Sequence, residues 1–309
     1  MTLALLFPGQ GAQHAAMLPW LEADPAAVHA TGALQALAAA VGADWRTQLH
    51  TPGWMHTNAV AQPLLTGLSL AAWQAVAPHL PAPAVVAGYS VGELAAYAAA
   101  GVMEPAAAVA LAAQRAALMS ACAQGQAGGL LSVQGPGALA RAQAEADLHL
   151  AIRISPERVL VGGLTPTLEV AAARWSAEGL RCTRLPIGVA SHTPLMAEAA
   201  QVFEQTLAQQ PLRAPRAAVV TNRHGTASRQ LSVLAPALAA QIAHTVRWDD
   251  TMDTLAERGV RCVLEVGPGS TLAAMWRERH PAIPVRSVDE FRSAQAAGDW
   301  VTQQLQAGS

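Results

Sequence analysis

An α/β protein, with a parallel sheet and one small inserted domain, is the fold class predicted by three observations. First, short apolar runs at residues 3–7, 84–87 and 260–266 each end in a glycine loop, and helical periodicity follows. Second, residues 125–187 read strand, helix, strand, strand, helix, strand, the β-α-β-β-α-β order of a ferredoxin-like module. Third, 52% hydrophobic content beside 13% charged residues describes a chain with a large core and excludes a disordered tail. A length of 309 residues is enough for one large core, or for a core plus an insert. The predicted division is a large domain over 1–124 and 188–309, with the insert over 125–187.

Each element has its own reason. The run 3–7 stops at Pro8-Gly9 and reads as a buried strand. Alanine-rich helical segments fill much of the span to Trp73, and residues 57–77 keep a helical period. Pro81 and Pro83 break the chain before the second strand, 84–87, and a helix starts at once through Glu93 to Ala100. Another helix runs from about Pro105 to Ala123. Gly125, Gly128 and Gly129 mark the boundary of the insert, whose strands fall at 130–133, 148–154, 159–161 and 182–185 and whose helices fall at 138–146 and 167–178. The turn Ser155-Pro156-Glu157 joins its two middle strands. Beyond it come a helix over 196–209, a strand over 217–221, a polar loop over 222–225, helices over 234–244 and 249–258, the strand 260–266, and a helix from near Ser270.

Composition excludes several functions. The formal charge is −2 and no basic footprint for nucleic acid exists. All 19 basic residues are arginine, which excludes a lysine Schiff base and a phosphate-loop lysine. Cys122, Cys182 and Cys262 lack metal-ligand spacing and read as structural thiols of a reducing compartment. No metal site is expected. The N-terminus has no basic stretch before its short apolar run, and the apolar segment 94–113 is interrupted by Gly101, Glu104 and Pro105. A cytoplasmic protein with no membrane partner is the expectation.

The chemistry centres on Gly88-Tyr89-Ser90-Val91-Gly92. This G-x-S-x-G sequence sits between a predicted strand and a predicted helix, the setting of a nucleophile elbow. The flanking glycines allow a tight turn that lifts the Ser90 hydroxyl, and the Val91 N–H at the helix start can face a developing oxyanion. Serine needs a base. Among ten histidines, His192 stands out in the loop Val189-Ala190-Ser191-His192-Thr193-Pro194, where the insert returns to the large domain. Arg115 lies in the apolar helix, where it either grips a carboxylate or snorkels to solvent. Glu93, one turn into its helix, fits the helix dipole better than a role as catalytic acid. Gly267-Pro268-Gly269 lacks the phosphate-loop pattern and reads as a tight turn.

Six segments occur in a telling order: Phe7-Pro8-Gly9-Gln10-Gly11-Ala12-Gln13, Gly88 to Glu93, Gln114-Arg115 with Met119, Ser191-His192, Val246-Arg247-Trp248, and Glu265-Val266-Gly267-Pro268-Gly269. Together they resemble the malonyl-CoA:acyl-carrier-protein transacylases and the related acyltransferase domains of polyketide synthases, over nearly the whole chain. The resemblance implies an α/β-hydrolase-like large domain with a ferredoxin-like insert. It implies Ser90 as nucleophile, His192 as general base, and the main-chain carbonyl of Gln241, not a carboxylate, as the group that holds the imidazole. The stretch between Ser90 and His192 agrees, since no acid there follows a core strand as a triad acid should. The resemblance also implies an oxyanion hole from the N–H groups of Gln10 and Val91, and a substrate pocket with Arg115 on the malonyl carboxylate and Met119 nearby. Malonyl-CoA is then the substrate, an acyl carrier protein the partner, no bound cofactor is needed, and the chain acts as a monomer.

Three positions depart from the family pattern. Tyr89 replaces the usual histidine before the serine, Ile154 stands where an asparagine is common, and His244-Thr245 replaces Asn-Pro before Val246. A malonyl-transfer subunit of a biotin-independent malonate decarboxylase, or a discrete polyketide acyltransferase with another acyl specificity, fits these departures too. A serine hydrolase and a non-catalytic carrier-binding subunit are further alternatives. Arg141, Arg153, Arg158, Arg181 and Arg184 on and near the insert are candidates for docking an acidic carrier, or are solvated surface charge.

Overall fold

The computed structural model describes residues 2–23, 32–125 and 127–307, so part of the helical expectation before Trp73 lies outside the described residues. Strand β1 is Leu3–Phe7 and β2 is Val85–Gly88; every residue of both is buried. Such continuous apolar strands belong in a parallel sheet covered on both faces. In β1, Leu3, Leu5 and Phe7 enter one core while Ala4 and Leu6 enter another, as the two-residue period of a strand requires.

The insert contributes β3 (Gly128–Gln134), β4 (His149–Ser155), β5 (Arg158–Leu164) and β6 (Arg181–Arg184). The returning chain adds β7 (Ala218–Val220), β8 (Ala227–Ser228), β9 (Val246–Arg247), β10 (Cys262–Glu265) and β11 (Val285–Ser287). Among the described residues the larger sheet runs β11-β10-β1-β2-β7-β8, parallel throughout except that β8 is antiparallel to β7. The second runs β6-β3-β5-β4-β9. Its first four strands are antiparallel in the ferredoxin-like order, and β9 joins β4 in parallel.

The helices that position the site are α1 (Asn58–Val76), α2 (Gly92–Ala99), α3 (Pro105–Cys122), α4 (Leu231–Ala240), α5 (Thr271–Arg279) and α6 (Ala294–Gln306). Helix α3 has the length and apolarity to cross a bilayer. It packs on α1 and turns a buried face that carries Arg115 toward the core.

Several expectations need correction. Gly128 and Gly129 belong to β3, paired with Leu164 and Gly163, instead of preceding it as a boundary. The helix expected over 234–244 spans Leu231–Ala240, because the next carbonyls turn away to serve His192. Strands β8, β9 and β11 and helix α6 have no counterpart among the sequence expectations.

Candidate active site

The register Phe7↔Gly88 brings the loop after β1 and the elbow after β2 out side by side, at the carboxyl ends of the parallel strands. Their contact is too close for side chains. A Cβ on Gly9 would come within 2.4 Å of the Tyr89 carbonyl oxygen, and one on Gly92 within 2.2 Å of the Phe7 carbonyl oxygen. Gln10 and Val91 therefore line one pocket with Ser90, Arg115 and Met119. Among the described residues neither the Gln10 nor the Val91 N–H has an intramolecular acceptor, which leaves two donors at a loop and at a helix start.

Ser90 adopts φ 55°, in the left-handed region that residues other than glycine rarely enter. That conformation costs roughly 1–2 kcal/mol and is tolerated only because the surroundings over-determine it. The Ser90 Oγ lies 2.8 Å from His192 Nε2. His192 Nδ1 lies 2.6 Å from the main-chain carbonyl of Gln241, which can only accept, so Nδ1 carries the proton and Nε2 is free to take the serine's. The His192 backbone, also at positive φ (63°), donates its N–H to Ile242 O at 2.8 Å. One histidine thus satisfies two carbonyls at the end of α4 that the helix itself leaves unpaired. Burial, reinforced by the nearby Arg115 cation, pushes the imidazole pKa down to about 3, against the raising influence of the Gln241 carbonyl. The ring is neutral at physiological pH, the state in which an imidazole can accept a proton.

Arg115 is 1% exposed, which settles the snorkelling question against solvent. Its Nη1 donates to Gln62 Oε1 at 2.6 Å, and Nη2 reaches Ser90 Oγ and Gln241 Oε1, each at 3.4 Å. The Nε has no partner among the described residues. Burial lowers the guanidinium to about 10, so it remains a cation at neutral pH. Gln62 is anchored in turn on Asn58 at 2.7 Å, which fixes the fork.

Glu93 is fully buried on α2, and its Oε1 accepts the Asn222 N–H at 3.0 Å. Burial pushes its carboxyl up to about 8. Tyr89 packs edge-on against Trp248, with ring centroids 5.1 Å apart. Ile154 lines the same pocket as Ser90, making that wall apolar. His244 caps Ala240 O through Nδ1 at 2.8 Å and Thr245 donates to Leu150 O at 2.6 Å, so this departure serves structure.

Two participants escaped the sequence reading. Gln62 is one of several polar residues, with Asn58, Thr66, Ser69 and Gln74, in an otherwise apolar helix, so nothing in the sequence singled it out. Asn222 was legible as the first residue of a polar loop, but its contact with the elbow was not.

Over residues 4–306 the chain matches the acyl transferase domain model. It is 34% identical over 293 residues to the malonyl CoA-acyl carrier protein transacylase of Mycobacterium tuberculosis (strain H37Rv), covering 93% of this chain and 96% of the relative. Its identity to the Escherichia coli K12 transacylase of the same name is 31% over 306 residues, covering 95% and 98%. Among solved structures, the malonyl-CoA:acyl carrier protein transacylase of Xanthomonas oryzae superposes with TM-score 0.89 at 28% identity, covering 97% of this chain and 99% of that one. A malonyl-transacylase in complex with a type II PKS acyl-carrier protein superposes with TM-score 0.88 at 26% identity, covering 97% and 99%. With its serine, histidine and buried arginine converging on one pocket and near-complete coverage of these relatives, the chain belongs to the acyl transferase domain family.

Proposed function

We propose that this protein transfers a malonyl group from malonyl-CoA to the pantetheine-type thiol of an acyl carrier protein by a ping-pong route. One observation carries the reading: a serine–histidine–carbonyl chain shares one pocket with a buried arginine whose Nε has no partner among the described residues. Ser90 Oγ attacks the thioester carbonyl while His192 Nε2 takes its proton. The N–H groups of Gln10 and Val91 hold the oxyanion. Collapse expels the CoA thiolate, which receives the proton from His192. The carrier thiol then attacks the Ser90 ester, passing its proton to His192, and that proton returns to Ser90 Oγ as the ester bond breaks.

Arg115 selects the acyl group. A buried guanidinium pairs with a malonyl carboxylate through charge-assisted hydrogen bonds, and acetyl offers it nothing. The apolar wall at Ile154 supplies no competing polar contact.

The test is the mass of the intact protein after brief mixing with malonyl-CoA, with acetyl-CoA in parallel and Ser90→Ala as control. A malonyl adduct formed only from malonyl-CoA and absent in Ser90→Ala is the expected result. An adduct from acetyl-CoA alone removes the malonyl assignment. Free malonate accumulating without an adduct identifies a hydrolase.

A further inference from the structure

We infer that Asn222 is a positioning residue for the nucleophile: its side-chain amide extends the parallel sheet past the end of β7 and fixes Ser90 in its left-handed conformation. The ladder between β2 and β7 has its last registered pair at Ala87↔Val220. Beyond that point the two chains diverge, β2 into the elbow and β7 into the polar loop. The backbone of a longer strand would have supplied one donor and one acceptor to the next residues of β2. Asn222 supplies both from its side chain. Its Nδ2 donates to Gly88 O at 2.5 Å and its Oδ1 accepts the Ser90 N–H at 2.8 Å. The amide thereby spans Tyr89 and grips the elbow on both sides of it.

The clamp is itself fixed. Asn222 has 0% exposure, its N–H donates to Glu93 Oε1 at 3.0 Å, and its carbonyl accepts the Arg247 N–H at 2.9 Å. Glu93 sits on α2, the helix that the elbow leads into, and Arg247 on β9, the strand that joins the second sheet. Asn222 is therefore tied to the strand before the serine, the helix after it and the sheet across the pocket. Asparagine suits the task because its planar amide presents one donor and one acceptor at a fixed spacing. Aspartate, when ionised, keeps the acceptor for Ser90 and loses the donor for Gly88.

The inference rests on Ser90 being the nucleophile of the proposed transfer, and the experiment separates the two. Asn222→Ala and Asn222→Asp are compared with the parent by two readouts: the rate of Ser90 labelling by a small fluorophosphonate, and kcat and KM with malonyl-CoA. The labelling rate reports on the serine whatever the natural substrate is, so a parent that labels but does not take malonate overturns the proposed function and leaves the clamp decided by labelling alone. Loss of orientation is expected to slow labelling and lower kcat by about 10²-fold in Asn222→Ala, with KM within about twofold. In Asn222→Asp the loss, taken as a ratio to the parent at each pH, deepens as pH rises, because the protonated side chain still donates to Gly88 and the ionised one cannot. The groups whose charge bears on that side chain are Glu93 on α2, Arg115 on α3, His192 in its loop, Arg223 and His224 beside it and Arg247 on β9. A carboxylate at 222 displaces the titration of Glu93, which stands at about 8, so the ratio is also taken in a Glu93→Gln background, where that coupling is absent. If Asn222→Ala does not fold, Asn222→Asp decides. Labelling and kcat within about twofold of the parent, or a deficit in folded Asn222→Asp that stays constant with pH, overturns the inference.

Discussion

His192 is neutral for a physical reason that has a kinetic consequence. Burial disfavours the imidazolium, and the Arg115 cation disfavours it further, so the pKa falls from 6.5 to about 3. In the proposed transfer the base is the deprotonated ring, so a lowered pKa moves the acid limb of the rate profile down. The rate of Ser90 acylation is therefore expected to stay flat between about pH 6 and pH 8, as measured by rapid mixing and intact mass. A fall with a midpoint near the ordinary histidine value contradicts the neutral, buried ring. Replacing Arg115 with Ala acts twice. The preference for malonyl- over acetyl-CoA in kcat/KM is expected to drop by about 100-fold or more, since the partner of a desolvated carboxylate is lost. The acid limb moves up as the repelling cation disappears, though burial still holds it below the ordinary value. Ser90 and His192 could be read from the sequence because a strand–glycine–helix context and a loop at a domain return constrain their surroundings. Gln62 and Asn222 could not, because what makes them matter is a partner 53 or 132 residues away along the chain.

At the scale of elements, helix ends govern the site. The carbonyls at the end of α4 hold His192, and the turn 267–269 leads into α5, whose start is served from elsewhere. Ser270 makes no side-chain cap; instead Glu265, at the end of β10, accepts the N–H groups of Leu272 at 3.2 Å and Ala273 at 2.7 Å. Glu265→Ala is expected to cost about 2 kcal/mol in thermal or urea unfolding, because two buried donors lose their acceptor. Burial pushes the Glu265 carboxyl up from its ordinary 4.5 to about 8, while the two N–H groups pull it down. A raised pKa gives stability that is full below the unfolded value and is lost as pH rises through the folded one. The stability deficit of Glu265→Gln against the parent is thus expected to narrow as pH rises from about 5 to 9; a gap that widens contradicts the raised pKa. The elements read correctly were those punctuated by glycine and proline, such as β1, β2 and β10. The two-residue strands β8 and β9 carry no periodicity, and only tertiary pairing creates them. Helix α6 carries both a start signal in Ser293, whose hydroxyl accepts the Ala296 N–H at 3.1 Å, and an apolar stripe at Ala294, Ala297, Val301 and Leu305, so the sequence held the signal for it.

The whole molecule is two sheets that share a core. Leu130, Ile152 and Leu160 of the second sheet pack in one cluster with Ala4, Leu6, Trp248 and Met275, and the salt bridge from Arg153 to Asp249 at 2.6 Å fastens the same seam. This arrangement decides which of the insert's arginines can meet a carrier. Arg141 is paired with Glu178, and Arg153 with Asp249 and Asp250, so their charges are largely spent within the fold. Arg158 stands 3.7 Å from Glu278 at the pocket wall. Arg181 and Arg184 differ: both are exposed on β6, the edge strand of the second sheet, and the residues just beyond it, Leu185 and Ile187, line the pocket that holds Ser90. An acidic carrier approaching along this edge meets two exposed cations, one on each face of the strand, where long-range attraction raises the encounter rate and salt weakens it. Reversing both charges, Arg181→Glu with Arg184→Glu, is expected to raise the carrier KM about tenfold at low salt, and the gap to the parent should close as ionic strength rises. Malonylation of Ser90 by malonyl-CoA, which precedes carrier binding, should keep its rate. An unchanged carrier KM would move the docking face away from this edge, and a slowed malonylation would show that the two arginines serve the pocket itself.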